Sequence, residues 1–424
     1  MQKINLEGLN EYVAYEKLDN NLDVYVYRKK DFHSFYAYYV TNYGALNTEF
    51  VPINEEKMHK FPDGIAHFLE HKMFEKEDGH VLEKFPLIGG SSNAFTSYTH
   101  TVYQVSGTEK FYDNLNLLIN FVEHPYFTDK NVEKEKGIIG QEIKMYDDDP
   151  GWQLYMNALD CMYKENPIKI DIAGTVESIS KIDPDVLYKC YNTFYHPSNM
   201  TMVVCGDFEP EKLLEEIKKR LLPKENQADI KRIYTAKEDK INMPEKIAQM
   251  EVSTPIFMMA YKDIENNQEA AIKKHIAIEI LLNIIIGKSS KLYKELYEEG
   301  LLLAQPDFDY EFSAQYAHTL ISGASKEPKK VAQKITDRIE QLKQQGLDDE
   351  EFERARRKLY GDYVIEYNSV ANIARMFLAD TMKKVQSFDY IEEFETVTKE
   401  YTQNILNEMF KNENKVLSII EPNK

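Results

Sequence analysis

The chain has 424 residues, 43% hydrophobic and 29% charged, and a formal net charge of −19 from 71 acidic against 52 basic side chains. That length suits two or three globular domains, and that apolar fraction suffices for ordinary cores. The acidity argues against a nucleic-acid or anionic-membrane surface and permits basic peptides as substrates.

The stretch from Met1 to Glu7 has no apolar region of the kind a secretory leader carries. The longest apolar-rich patch, Ile276 to Ile286, is interrupted by Glu279 and Asn283 and is too short to span a bilayer. Cys161, Cys190 and Cys205 form no C-x-x-C pair and read as reduced core thiols. The expectation is a cytoplasmic protein with no membrane segment.

Leu22 to Tyr27 alternates and is rich in β-branched and aromatic residues, after the turn signal Asp19-Asn20-Asn21, and predicts a strand. Phe35 to Val40 predicts a second, ended by a bend at Tyr43-Gly44-Ala45. A helix follows. Nothing between Ile65 and Lys72 breaks one, and Ile65, Phe68, Leu69 and Met73 recur at three- and four-residue steps, with Asp63 as the expected N-cap. On that helix His67 and His71 lie one turn apart on one face, and Glu70 is nearly on the same face.

Two imidazoles on one helix face are half of a zinc site, and a carboxylate beside them can take a proton from an activated water. The order H-x-x-E-H, the inverse of the commoner H-E-x-x-H, is a metallopeptidase signature. The competing reading is a buried pair of structural histidines. Catalytic zinc takes three protein ligands, so a third is required. Asn131 to Tyr146 predicts another helix, with Ile138, Ile139, Ile143 and Tyr146 as its apolar stripe and Glu135 and Glu142 two turns apart on one face. Read alone, either glutamate is as readily a solvated surface carboxylate.

Between these helices, Gly89 to Ser97 and the alternating Thr101 to Val105 predict strands, and Lys110 to Glu123 a helix. Beyond them come helices from Trp152 to Met162, after a stop at Asp149-Pro150-Gly151, and from Asp183-Pro184 towards Phe194. Met200 to Cys205 predicts a buried strand and Phe208 to Leu222 a charged amphipathic helix. Domain one is therefore drawn at 1–222, with a polar, proline-bearing linker at 223–246. The segment 247–424 repeats the plan: a strand at Phe257 to Tyr261, a long helix, a strand pair between Asp307 and Gly323, helices, and a last strand at Val416 to Ile420. The fold class is α+β, with two similar domains, each a mainly antiparallel sheet covered by helices.

The motif helix, the glutamate helix, the stretch Gly89-Gly90-Ser91-Ser92-Asn93-Ala94-Phe95-Thr96-Ser97 and Tyr195 to Met200 together resemble the pitrilysin family. That family includes insulin-degrading enzyme and the mitochondrial processing peptidase. The resemblance implies a half-enzyme of the pitrilysin clamshell. It implies one zinc ion per chain held by His67, His71 and Glu142, the last lying 71 positions after His71. It implies Glu70 as general base and Glu135 as the supporting carboxylate. It makes Asn93, Ala94, Phe95 and Thr96 the rim strand that pairs with extended peptide, inside a chamber that favours short or unfolded peptides.

The second half lacks something the family uses. No H-x-x-E-H recurs there, and His275 and His318 stand alone and read as structural. Complete members carry an Arg and a Tyr, seven apart around a Gly, that stabilise the oxyanion. Aligned on Gly300, those positions fall on Leu296 and Leu303, which donate no hydrogen bond; Tyr293 and Tyr297 miss the spacing. The expectation is a zinc-bearing subunit of a heterodimer whose paralogous partner, lacking the zinc motif, supplies both groups. A self-sufficient homodimer, a non-catalytic scaffold and a structural zinc protein are the alternatives. Retention of His67, Glu70, His71 and Glu142 argues against the scaffold, and the want of a fourth ligand against the structural site.

Overall fold

The computed structural model describes residues 1–6, 11–225, 227–235, 237–263, 270–385 and 389–423. Its secondary structure gathers into two units, each built on one sheet.

In the first unit the strands run in the order Gln2–Leu6, Glu11–Lys17, Asp23–Arg28, Met200–Gly206, Phe35–Thr41, Thr101–Gly107 and Gly90–Thr96. All neighbours are antiparallel except Met200–Gly206 against Asp23–Arg28. Alternation decides the faces. Val24, Val26, Ala37, Tyr39, Tyr103, Val105, Met202 and Val204 belong to one core with the motif helix and helix Phe111–Glu123. The opposite face carries helix Val370–Lys383, which packs on Met200–Gly206 and Phe35–Thr41 and sets Phe377 5.4 Å from the Tyr27 ring.

Among the described residues, the second unit's sheet has five strands in the order Glu245–Met250, Lys415–Pro422, Ile256–Lys262, Ala317–Ala324 and Asp307–Phe312, parallel only at the first pairing. Helix Pro150–Met162 packs on its strands Lys415–Pro422 and Ile256–Lys262. No helix among the described residues is long and apolar enough to cross a membrane.

Membership is not contiguous in sequence. Unit one comprises 1–143, 170–234 and 366–388; unit two comprises 144–169, 235–365 and 389–424. This differs from a division at 222 and 247, because helices Pro150–Met162 and Val370–Lys383 each pack on the sheet formed mainly by the other half of the sequence. Three local readings are corrected. The Asp149-Pro150-Gly151 stop is also a start: Asp149 caps the next helix, accepting from the Trp152 amide at 2.6 Å. Glu245 and Lys246, read as linker, open a strand. Gln2–Leu6 is a strand the sequence reading passed over.

Candidate metal centre

The motif helix spans Ile65–Phe74. Asp63 does not cap it. The N-cap position is Gly64, at φ +86, and its carbonyl accepts from the Phe68 amide at 2.9 Å. A Cβ at Gly64 would lie 2.3 Å from the Ala173 carbonyl oxygen, so glycine meets both the left-handed backbone and the close approach. Ile65, Phe68, Leu69 and Met73 are all at most 1% exposed. Eight of the ten residues are buried, and the other two are His67 and His71. On a helix sunk this deep the two imidazoles are the most exposed side chains.

The second helix spans Asp129–Asp147. Val132, Ile139 and Ile143 anchor it in the core, whereas Ile138, expected in the apolar stripe, is 46% exposed. Anchored so, the helix turns Glu135 and Glu142 towards the motif helix. Glu142 Oε1 lies 3.6 Å from His67 Nε2 and its Oε2 lies 3.5 Å from His71 Nε2. The imidazole rings are 4.5 Å apart at 60°. One ligand atom from each of His67, His71 and Glu142 falls within 4.8 Å of the others. Two donors about 2.05 Å from one ion in tetrahedral positions are about 3.4 Å apart. The donor set therefore fits a zinc ion.

Around these three residues the remaining groups are ordered. Glu135 Oε1 is 3.2 Å from His71 Nδ1, so with His71 Nδ1 protonated its Nε2 keeps a lone pair on the Glu142 side. Glu135 Oε2 accepts from Lys72 Nζ at 3.3 Å, and Lys72 also pairs with Glu75. Thr96 Oγ1 donates to Glu70 Oε2 at 2.8 Å. Thr101 stands 3.3 Å from Thr96 and donates to the Tyr43 carbonyl.

Burial sets the protonation states. It pushes the Glu70 carboxyl up to about 7, and Glu142 adds to this, while His71 and the Thr96 hydrogen bond work the other way. Burial pulls His67 down to about 3, aided by the neighbouring His71, and leaves the neutral imidazole a metal requires. Its Nδ1 is buried with no hydrogen-bond partner among the described residues. For His71 burial acts downwards, yet the Glu135 hydrogen bond and the Glu70 and Glu142 charges carry it above its ordinary value. For Glu135 burial acts upwards and is outweighed by the His71 hydrogen bond and the Lys72 charge, for a net lowering.

The strand Gly90–Thr96 ends the sheet, bonded to Thr101–Gly107 on one side and, among the described residues, to no strand on the other. Asn93 and Phe95 are exposed, Ala94 is half-buried against the core, and Thr96 is buried, its hydroxyl on Glu70 rather than at the rim. The contacts of Thr96 and Lys72 were missed by the sequence reading. The period-two pattern that turns Thr96 inwards was readable, but its partner 26 residues away was not.

In the second unit, Leu296 is fully buried and Leu303 is 80% exposed, on either side of Gly300, which closes helix Lys291–Glu298 at φ +68. His318 is buried, its Nδ1 3.0 Å from the Tyr163 hydroxyl, as a core histidine should be. His275 is not isolated: its Nδ1 is 2.7 Å from the Tyr390 hydroxyl, and Glu279 and Asp309 lie close by. That trio offers one imidazole to the first unit's two. The three cysteines are buried and free, and burial pushes all three thiols up, Cys161 and Cys190 to about 12, which disfavours a thiolate at neutral pH.

Comparison with known proteins adds independent findings. Residues 57–176 match the family model described as insulinase (peptidase family M16), and residues 181–359 the model described as peptidase M16 inactive domain. The uncharacterized zinc protease YmfH of Bacillus subtilis is 41% identical over 414 residues, covering 96% of each chain. The crystal structure of an M16-like protein of Alicyclobacillus acidocaldarius superposes with a TM-score of 0.94 at 33% identity, over 99% of this chain and 100% of that one. Pitrilysin gives a TM-score of 0.75 at 18% identity; all of this chain corresponds to 47% of that one.

Proposed function

This chain belongs to peptidase family M16, the insulinase family, and from that premise we propose that it is a zinc-dependent endopeptidase. The observation that carries the reading is the convergence of His67, His71 and Glu142 beside a buried Glu70 held by Thr96. Relatives named as zinc proteases support it.

His67, His71 and Glu142 would hold the ion. When bound, zinc supplies Lewis acidity for water activation and carbonyl polarisation. Glu70 takes the water's proton on its carboxylate and delivers it to the leaving amide nitrogen. Burial raises the Glu70 carboxyl of the metal-free chain above the ordinary carboxylate range, which disposes it to accept a proton. Thr96 occupies Oε2 of Glu70 and leaves Oε1 for the proton. Glu135 fixes the His71 ring. The substrate, a short or unfolded peptide, lies extended along the sheet edge at Asn93 to Thr96, where main-chain hydrogen bonds give affinity with little sequence reading.

The oxyanion donors come from a paralogous partner subunit. Leu296 and Leu303 support this half of the reading, since neither side chain donates and Leu296 is sealed in its own core. Removing one oxyanion donor costs about a hundred- to a thousand-fold in rate. The purified, zinc-loaded chain is assayed alone on a mixed fluorogenic peptide set beside Glu70→Gln. Zinc at one equivalent with negligible cleavage supports the missing partner. Strong cleavage lost in Glu70→Gln keeps the peptidase and removes the partner. Absence of both zinc and cleavage overturns the reading.

A further inference from the structure

The residue after the second motif histidine is a lysine, and it is not on the surface. Lys72 is 0% exposed, among the largest fully buried side chains of the molecule. Taking an ammonium out of water costs several kcal/mol unless anions surround it. Its two partners are the Glu75 carboxylate, one turn on, and Oε2 of Glu135, 63 residues away in sequence. Glu135 is itself only 7% exposed, and its two oxygens are divided: Oε2 to Lys72, Oε1 to His71 Nδ1. The other ring nitrogen of His71 lies 3.5 Å from Glu142.

We propose that Lys72 is a positioning residue for the metal centre: its ammonium pins Oε2 of Glu135, which holds Oε1 on His71 Nδ1 and so aims His71 Nε2 at the zinc position. The order is Lys72, Glu135, His71, metal. The proposal rests on the zinc reading above.

Two other roles for a buried cation give different signs. A lysine acting through charge alone repels a nearby divalent cation, so its removal tightens zinc binding. A lysine serving only the fold leaves zinc affinity unchanged when removed. The positioning role predicts weaker zinc. Outer-shell partners of metal-ligating histidines are worth about ten- to a hundred-fold in metal affinity, and a residue one step further out belongs at the lower end of that range.

The test is zinc affinity by competition with a chromophoric chelator, together with the zinc-induced rise in Tm, for wild type, Lys72→Met, Glu135→Gln and the double variant. Lys72→Met leaves two carboxylates without their cation, so Lys72→Met/Glu75→Gln, which removes both charges of the pair, stands in wherever the single variant does not fold. The expected result is an about tenfold loss of zinc affinity in either Lys72 variant, with a smaller zinc-induced rise in Tm. The same change should have no further effect once Glu135 is Gln. Unchanged or tighter zinc binding overturns the proposal, as does an equal loss in the Glu135→Gln background. Wild type binding one equivalent of zinc that His67→Ala abolishes isolates failure at Lys72 from failure of the functional reading; wild type binding none overturns both.

Discussion

Two buried helices, one in each unit, make opposite uses of burial. Ile65–Phe74 encloses Glu70 and Lys72 and half-encloses His67 and His71 within ten residues. Ala271–Ile286 fills its interior with Ile276, Ile278, Ile280, Leu281, Leu282, Ile285 and Ile286, all at most 2% exposed. Burying an aliphatic side chain contributes about 1.5–3 kcal/mol, whereas a buried ionisable group costs free energy unless each oxygen and nitrogen finds a partner. Stability is thus concentrated in the second helix and chemistry in the first. The first is tolerable because its polar groups are answered one by one: Glu70 by Thr96, His71 by Glu135, and Lys72 by Glu75 and Glu135.

The contrast can be broken from either side. The largest effect is expected at the chemical helix: Glu70→Gln should lower peptide hydrolysis by about 10²–10⁴-fold while zinc stoichiometry, read by metal analysis, stays the same. Loss of zinc together with activity would make Glu70 a ligand and not a base. On the apolar side, Leu281→Ala should cost about 2–5 kcal/mol in denaturant unfolding with zinc affinity untouched. A change in zinc affinity would show the two helices to be coupled.

The third effect is on pH. The Glu70 carboxyl stands at about 7 in the folded protein against an ordinary 4.5. Between those values the folded chain keeps a proton the unfolded chain has released, so this group's contribution to stability is complete below about 4.5 and is lost as pH rises through about 7. Metal-free wild type should therefore lose up to about 3 kcal/mol relative to Glu70→Gln between pH 4.5 and about 8. A gap that stays constant with pH would refute a carboxyl whose ionised form burial disfavours. The smallest effect sharpens the same point. Thr96→Val removes the hydrogen bond that favours the ionised form of Glu70, so the acid limb of the kcat/KM profile should move to higher pH, with an about tenfold loss at neutral pH. An unmoved limb would separate Thr96 from the base.

What the sequence by itself determined was local. Residues four or seven apart share a face on any α-helix, so His67 with His71, and Glu135 with Glu142, were legible as pairs from their spacing. That the two pairs belong to one site was legible only through the family resemblance. The strands at Asp23–Arg28, Phe35–Thr41 and Met200–Gly206, the apolar stripe of the motif helix and the buried cysteines were legible because period and composition act over a few residues. Only the tertiary structure decided the rest. That Thr96 holds Glu70, and that Lys72 is buried against Glu135, depends on strand and helix packing between segments tens of residues apart. Gly64 in place of Asp63 at the helix start depends on the approach of Ala173. That helix Val370–Lys383 covers the first sheet while Pro150–Met162 joins the second depends on which apolar face each sheet leaves uncovered. Periodicity states that a face is apolar; only the three-dimensional fold states what it meets.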